Sequence, residues 1–155
     1  MNSLKYIVFR IGNQDFGVPV SFVISIEKVI DLSDFPQMPK YVKGLTTIRD
    51  AVVPVLDMSQ ILFNRTLETN EDGIIILIDI NGSQVGMMVN EAKEILDVPE
   101  SEVKEIDGLF SQNASYLIGV VRANDTLINL LNPIEMLQNI DGIDEIIEQS
   151  RQTVN

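Results

Sequence analysis

Apolar residues along this chain come in short runs rich in Val and Ile, broken at close intervals by Gly, Asn, Asp and Pro. Runs of that length, punctuated by turn residues, are the pattern of strands in small barrels and sandwiches rather than of long amphipathic helices. Tyr6 to Ile11 and Phe16 to Val20 flank Gly12-Asn13-Gln14-Asp15, and Ile74 to Ile80 and Gln84 to Val89 flank Asn81-Gly82. Asn-Gly favours a two-residue turn with positive φ, so the spacing predicts two hairpins. Asn64 to Asp72 carries four charged residues without apolar periodicity and reads as a surface connection between two halves.

The halves repeat. At an offset of 69, Phe16-Gly17-Val18-Pro19-Val20 lies over Val85-Gly86-Met87-Met88-Val89, with Phe9 and Ile11 over Ile78 and Ile80. At an offset of 75, Gly44 lies over Gly119, Asp50 over Asp125, Val52-Val53 over Leu127-Ile128, Val55-Leu56 over Leu130-Leu131 and Ile61-Leu62 over Met136-Leu137. Solenoid repeats have periods of about 20–50 residues, so two copies of one small β unit, each of about five strands, explain the pattern better. A unit of about 65 residues is near the lower limit for independent stability, which predicts two units packed on each other with a functional surface at their junction.

Helix is expected in three places. Asp57 to Leu62 and Asn132 to Leu137 each open on a good N-cap residue, and the second places Pro133 at the first helical position. From Asn139 onward, apolar residues at 140, 143, 146 and 147 form a helical stripe among four acids and one arginine. This acidic tail, 139–155, is expected to be a weakly docked helix beyond a domain spanning 1–138.

Chemistry narrows the field. Histidine and cysteine are absent, which removes the commonest general base, metal ligand and thiol nucleophile together. No Gly-rich phosphate loop, dinucleotide fingerprint or Gly-flanked nucleophilic serine occurs, and the acidic pairs lack calcium-loop spacing, so neither enzyme, cofactor nor metal site is predicted. A formal net charge of −12, from 23 acids against 11 bases, argues against nucleic acid or an anionic membrane as partner. Met1 to Arg10 has no long apolar stretch and no run reaches the roughly 18 residues of a membrane span, so a soluble cytoplasmic protein without direct membrane insertion is expected.

What remains is a binding surface. Arg49 and Asp50 interrupt two apolar runs and should form a hairpin tip, as Asn124 and Asp125 should in the second unit. The five-donor fork of arginine is a frequent interface anchor, whereas an ordinary reading makes this a solvated turn. Val23, Ile24 and the run from Val85 through Met87 to Val89 are candidates for an apolar groove that receives an amphipathic helix, with buried core as the alternative.

The run Tyr41-Val42-Lys43-Gly44-Leu45-Thr46-Thr47-Ile48-Arg49-Asp50-Ala51-Val52-Val53-Pro54-Val55-Leu56-Asp57-Met58 resembles the signature of the CheW family. The opening hairpin, Pro36 and Pro39, Tyr116-Leu117-Ile118-Gly119 and Leu127 to Leu137 agree with it in order, so the resemblance covers about residues 4 to 138. It implies an all-β fold of two intertwined five-stranded SH3-like barrels with short helices. It also implies a non-enzymatic chemotaxis adaptor, binding the cytoplasmic tip of chemoreceptors and the regulatory domain of the histidine kinase CheA, at membrane-associated receptor arrays. By position the resemblance makes Arg49, Gly44 and Val23 contact residues. The chain departs from the family by placing Asp50 where glycine is usual and Ser25 where glutamate is usual. Those departures leave open an adaptor for a kinase outside chemotaxis, and a small-ligand-binding β-barrel remains the reading from another class.

Overall fold

The computed structural model describes residues 3–28, 31–34, 36–67, 73–105 and 116–152. The first half holds β1 (Ser3–Ile11), β2 (Gln14–Pro19), β3 (Val23–Lys28), β4 (Val42–Ile48), β5 (Ala51–Asp57) and α1 (Met58–Phe63). The second holds β6 (Ile74–Ile80), β7 (Ser83–Val89), β8 (Glu91–Pro99), β9 (Leu117–Ala123), β10 (Thr126–Leu131) and α2 (Pro133–Gln138), and α3 (Ile143–Gln152) follows. Both predicted hairpins form. The first turns on Gly12-Asn13 alone, because Gln14 already pairs with Ile11. Part of the expected connection, residues 68–72, lies outside the described residues.

The repeat is carried into three dimensions by exchange. One five-stranded sheet runs β8-β1-β2-β10-β9 and the other β3-β6-β7-β5-β4. Replacing each strand by its counterpart in the other half turns the first order into the second. Each sheet therefore combines the hairpin of one half with three strands of the other, and two parallel pairings join them. Val55 pairs with Gly86, and its counterpart Leu130 pairs with Gly17. These glycines are steric requirements: a Cβ on Gly86 would meet Ile75 Cγ2 at 2.7 Å, and one on Gly17 would meet Leu130 Cδ2 at 3.2 Å.

Irregularities repeat as faithfully as the ladders. Bulges fall at Ile24 in β3 and at its counterpart Lys93 in β8, and again at Lys43 in β4 and Ile118 in β9. Bulges bend and twist a strand, and here they curl each sheet toward its own opposite edge. Beyond β3, Ser33 makes a single bridge to Leu45 of β4, and beyond β8, Lys104 bridges to Val120 of β9. Matched glycines allow the approach, since a Cβ on Gly44 would lie 2.8 Å from the Ser33 carbonyl oxygen and one on Gly119 would lie 2.5 Å from that of Lys104. One bridge per sheet does not make a closed barrel, so the closure implied by the family resemblance is not seen.

Alternation along β1 divides the core. Ile7, Phe9 and Ile11 join the large apolar cluster that also takes Phe16, Leu56, Ile76, Ile78, Val85, Met87 and Leu131, whereas Tyr6 and Val8 join a second cluster with Val98, Val121, Ile128 and Leu130 inside the curl of the first sheet. Phe9 stacks on Phe16 with ring centroids 5.8 Å apart, and Phe63 of α1 meets Phe16 edge-on. Both short helices are capped as expected: Asp57 accepts from the Gln60 amide, and Asn132 accepts from the amides of Ile134 and Glu135.

The third helix differs from expectation. Ile143, Ile146 and Ile147 are buried in the main cluster against β5 and β7, the Tyr41 hydroxyl donates to the Asp141 carbonyl, and Arg151 donates to the Gly82 carbonyl. α3 is thus an integral part of the core rather than a weakly docked tail. Three isoleucines on one helical face supply enough apolar surface, at about 1.5–3 kcal/mol per fully buried side chain, to hold a helix of ten residues.

Polar groups clamp the first sheet. The Asp15 carboxylate on β2 is 3% exposed and bonds Arg10 Nε of β1 at 3.0 Å and the Lys93 ammonium of β8 at 3.2 Å. Burial pushes this carboxyl up, but hydrogen bonds and charge from Arg10 and Lys93 outweigh that and hold it below its ordinary value.

Two measurements test this architecture. Gly119→Ala should lower stability by about 1–3 kcal/mol in chemical denaturation, because the facing atom is backbone and cannot swing away; an unchanged midpoint would refute the close approach. Because the folded chain binds the Asp15 proton less readily than the unfolded chain, the triad stabilises above the ordinary carboxylate value of 3.8 and loses that contribution as pH falls below it. Asp15→Asn should therefore cost about 1–3 kcal/mol at pH 7 and progressively less in strong acid, read from urea curves at both pH values.

Candidate functional site

Arg49 and Asp50 form the two-residue tip between β4 and β5, as the sequence pattern predicts. Both are exposed and both adopt positive φ, at 53° and 66°. Such tips require left-handed backbone at both central positions because only that twist matches the strands they connect. The counterpart tip holds Asn124 and Asp125 at 53° and 61°, and the β6–β7 tip holds Asn81 and Gly82. Asn, Asp and Gly suit this conformation. Arginine does not, since a left-handed residue with an ordinary Cβ costs about 1–2 kcal/mol.

Arg49 is thus the one arginine among three geometrically similar tips, kept where the backbone disfavours it. Strain of this kind concentrates at functional positions. Nor is the side chain engaged internally: among the described residues Arg49 makes no ion pair, with Asp50 or with any other acid. The basic side chains of Arg10, Lys43 and Lys93, by contrast, are paired to buried acids and serve the fold.

Strand β3 forms the other part of the predicted site. It is the edge of the second sheet, and Val23, Ile24 and Ser25 are each half-buried. Ile24 is the bulged residue, without a register partner on β6, and Ile26 is 45% exposed. The Ser25 hydroxyl oxygen is buried and finds no hydrogen-bond partner among the described residues, which is costly for a polar atom in an apolar setting. This edge presents apolar surface beside a weak point in the ladder.

Three predicted contact residues lie elsewhere. Val85 and Met87 are fully buried on β7, the strand between β6 and β5, so the core alternative holds for them and no partner touches them in this conformation. Their strand is central because it pairs antiparallel with β6 and parallel with β5, a consequence of strand exchange that alternation alone does not reveal. Gly44 is also buried, and its service is to admit the Ser33 carbonyl. The surface set therefore reduces to Arg49, Asp50, Val23, Ile24 and Ser25.

Sequence reasoning also passed over residues that the same repeat could have flagged. The offset of 75 that aligns Gly44 with Gly119 aligns Tyr41 with Tyr116 and Asn64 with Asn139. Both tyrosines are half-buried at equivalent places: Tyr41 accepts from the Asp57 amide at its carbonyl, and Tyr116 accepts from that of Asn132. Burial raises both phenols above their ordinary value, and the charges of Asp141 and Glu145 raise Tyr41 further. The exposed apolar pair Leu4 and Ile95, at 50% and 63%, is a feature that spacing did not signal. Among the described residues no group of three or more Asp and Glu side chains converges as a metal site, and no helix is long and apolar enough to cross a membrane.

Comparison with known proteins bears on the family and the fold. The model of the CheW-like domain matches residues 5–141. The chemotaxis protein CheW of Bacillus subtilis is 26% identical over 147 residues, covering 94% of each chain, and that of Rhizobium meliloti is 29% identical over 82% of this chain and 83% of its own. Protein FrzA of Myxococcus xanthus is 28% identical, over 86% of this chain and 85% of its own. The crystal structure of the scaffolding protein TtCheW from Thermoanaerobacter tengcongensis superposes with a TM-score of 0.80 over 92% of both chains at 18% identity, a likeness of fold.

Because Arg49 holds a left-handed φ of 53°, Arg49→Asn should raise stability by about 0.5–1 kcal/mol by giving the turn a residue suited to that conformation. A thermal melt that moves downward would show that the arginine stabilises its own turn.

Proposed function

The chain belongs to the CheW-like domain family, and from that membership and the outward-facing Arg49 corner we propose that it is a non-enzymatic adaptor coupling chemoreceptors to a histidine kinase. The observation that carries the proposal is an arginine held at φ 53° on an exposed tip, unpaired among the described residues, where its pseudo-symmetric counterpart is a well-suited Asn124. An adaptor works by geometry: it needs rigid surfaces in fixed relation, and two exchanged sheets around a shared core supply them. We read each curled sheet as a partly open SH3-like barrel, the single Ser33–Leu45 and Lys104–Val120 bridges supporting that reading.

Two surfaces serve two partners in this account. The Arg49-Asp50 corner offers charge for orientation and on-rate, while the Val23–Ser25 edge offers apolar contact to an amphipathic receptor helix. The regulatory domain of the kinase is the partner assigned to the first, the cytoplasmic receptor tip to the second. This work is done in the cytoplasm, at the membrane-associated receptor array. The resemblance to FrzA supports a second reading in which the same surfaces serve a pathway other than that of the CheW relatives.

Arg49→Glu should fold as the parent does, because the residue is exposed and makes no ion pair among the described residues. Calorimetric titration with the kinase regulatory domain and with a receptor-tip fragment should show at least a tenfold loss for one of them, about 1.4 kcal/mol. Equal affinities of variant and parent for both partners would defeat the assignment of this corner.

A further inference from the structure

Asn81 is the one asparagine of the chain that is followed by glycine. That dipeptide suits the β6–β7 tip, where φ is 53° at Asn81 and 90° at Gly82, and it is also chemically the weakest peptide pair in the sequence. The backbone nitrogen after an asparagine can attack the side-chain carboxamide, and glycine, lacking Cβ, obstructs that attack least. Both residues are exposed, and a Cβ built on Gly82 would meet nothing within 4 Å. The other tips carry no such pair: Asn13 precedes Gln14, Arg49 precedes Asp50 and Asn124 precedes Asp125.

Three contacts among the described residues pin this tip. The Gly82 amide donates to Asp79 Oδ1 at 2.8 Å, and Arg151 Nη2 donates to the Gly82 carbonyl at 2.8 Å and to Ser83 Oγ at 3.4 Å. Arg151 comes from α3, 69 residues along the chain, and that helix is seated by buried Ile143, Ile146 and Ile147. We propose that Asn81 is a site of spontaneous deamidation and that α3, through Arg151, guards it. The step needs no partner but water.

The Gly82 nitrogen forms a bond to Asn81 Cγ as its proton passes to solvent. The Cγ–Nδ2 bond breaks, and the departing nitrogen takes a proton from solvent and leaves as ammonia, which closes a five-membered succinimide. Water then adds to one of the two imide carbonyls and breaks its C–N bond, leaving an aspartyl or an isoaspartyl residue at position 81; nothing is oxidised or reduced. Both contacts of Gly82 oppose the first bond. The nitrogen must give up the proton it shares with Asp79, and the carboxylate charge beside it disfavours the anion being formed. The peptide must also rotate about the Asn81 Cα–C bond, and a Gly82 carbonyl held by Arg151 resists that rotation. The reaction therefore runs through the fraction of molecules in which the tip has opened, a fraction set by local contacts rather than by global stability.

The product removes its own guard. Either form adds a negative charge near Asp79 on a chain already at −12, and the isoaspartyl form lengthens the main chain by a methylene in a two-residue tip. Ile80 then no longer faces Ser83, the last pair of the β6–β7 ladder, and the seat of Arg151 goes with it.

The test follows the full chain in neutral buffer by peptide mapping, with mass spectrometry separating the asparaginyl, succinimidyl and isoaspartyl forms. Product is expected at position 81 ahead of Asn13 and Asn124, and unfolding in guanidinium chloride should speed its formation roughly tenfold or more. Arg151→Ala should speed it about threefold or more in the folded chain while the rate at Asn124 stays unchanged. The sign separates anchoring from charge: were Arg151 to act through its charge alone, removing it would disfavour the anion at Gly82 and slow the reaction. Asp79→Ala, which alters the tip and not α3, should also speed it and keeps the test open where Arg151→Ala unseats the whole helix. Deamidation at or below the parent rate in a folded Arg151→Ala or Asp79→Ala chain, product gathering first at Asn13 or Asn124, or equal rates in the folded and unfolded parent would overturn the proposal. Neither kinase nor receptor is present in these measurements, so their outcome is independent of the adaptor reading.

Discussion

Two short parallel ladders hold everything else in place. Val55 to Asp57 against Gly86 to Met88, and Ile128 to Leu130 against Asp15 to Gly17, are among the described residues the only ladders that join a hairpin to the strands of the other half in a parallel sense. Parallel pairing is slightly weaker per residue than antiparallel pairing, so the short ladders do not persist on hydrogen bonds alone. They persist because Gly17 and Gly86 let facing side chains approach, and because Val55, Leu56, Leu130 and Leu131 are wholly removed from water behind them.

From that constraint follows the division of labour between the two halves. Their frameworks are interchangeable down to the bulges, the bridging carbonyls and the capped helices, but their surfaces are not. At one tip stands Arg49, and at the equivalent tip stands Asn124; the bulge that carries Ile24 in β3 carries Lys93 in β8, where it is turned into the Asp15 clamp. Duplication supplied a symmetric scaffold on which one copy of a position could serve the fold while the other faced outward.

Much of the framework was legible in the residues because the repeat is written in features with few substitutes. Gly44 and Gly119, the caps Asp57 and Asn132, and the Asn-Gly turn each have a local physical cause that a single sequence displays. Exchange of strands was not legible from spacing, since β7 reads the same whether its neighbours come from its own half or the other, and for that reason Val85 and Met87 looked like surface candidates. The docking of α3 was underestimated because its acids dominate the composition while three isoleucines decide the energetics. Of the candidate site, the hairpin tip was readable from turn chemistry. The strain at Arg49 was not, because φ is a property of the folded loop.

Because β1 pairs with β8 and β2 with β10, no stretch of the first half is a finished object when it leaves the ribosome. The opening hairpin waits for partners some 80 to 115 residues downstream, and β3 waits for β6. Contacts so distant along the chain carry a loop-closure cost that must be met before burial rewards it, which makes for slow, all-or-none maturation. Either half made alone would expose unfinished strand edges, open templates for pairing with other chains.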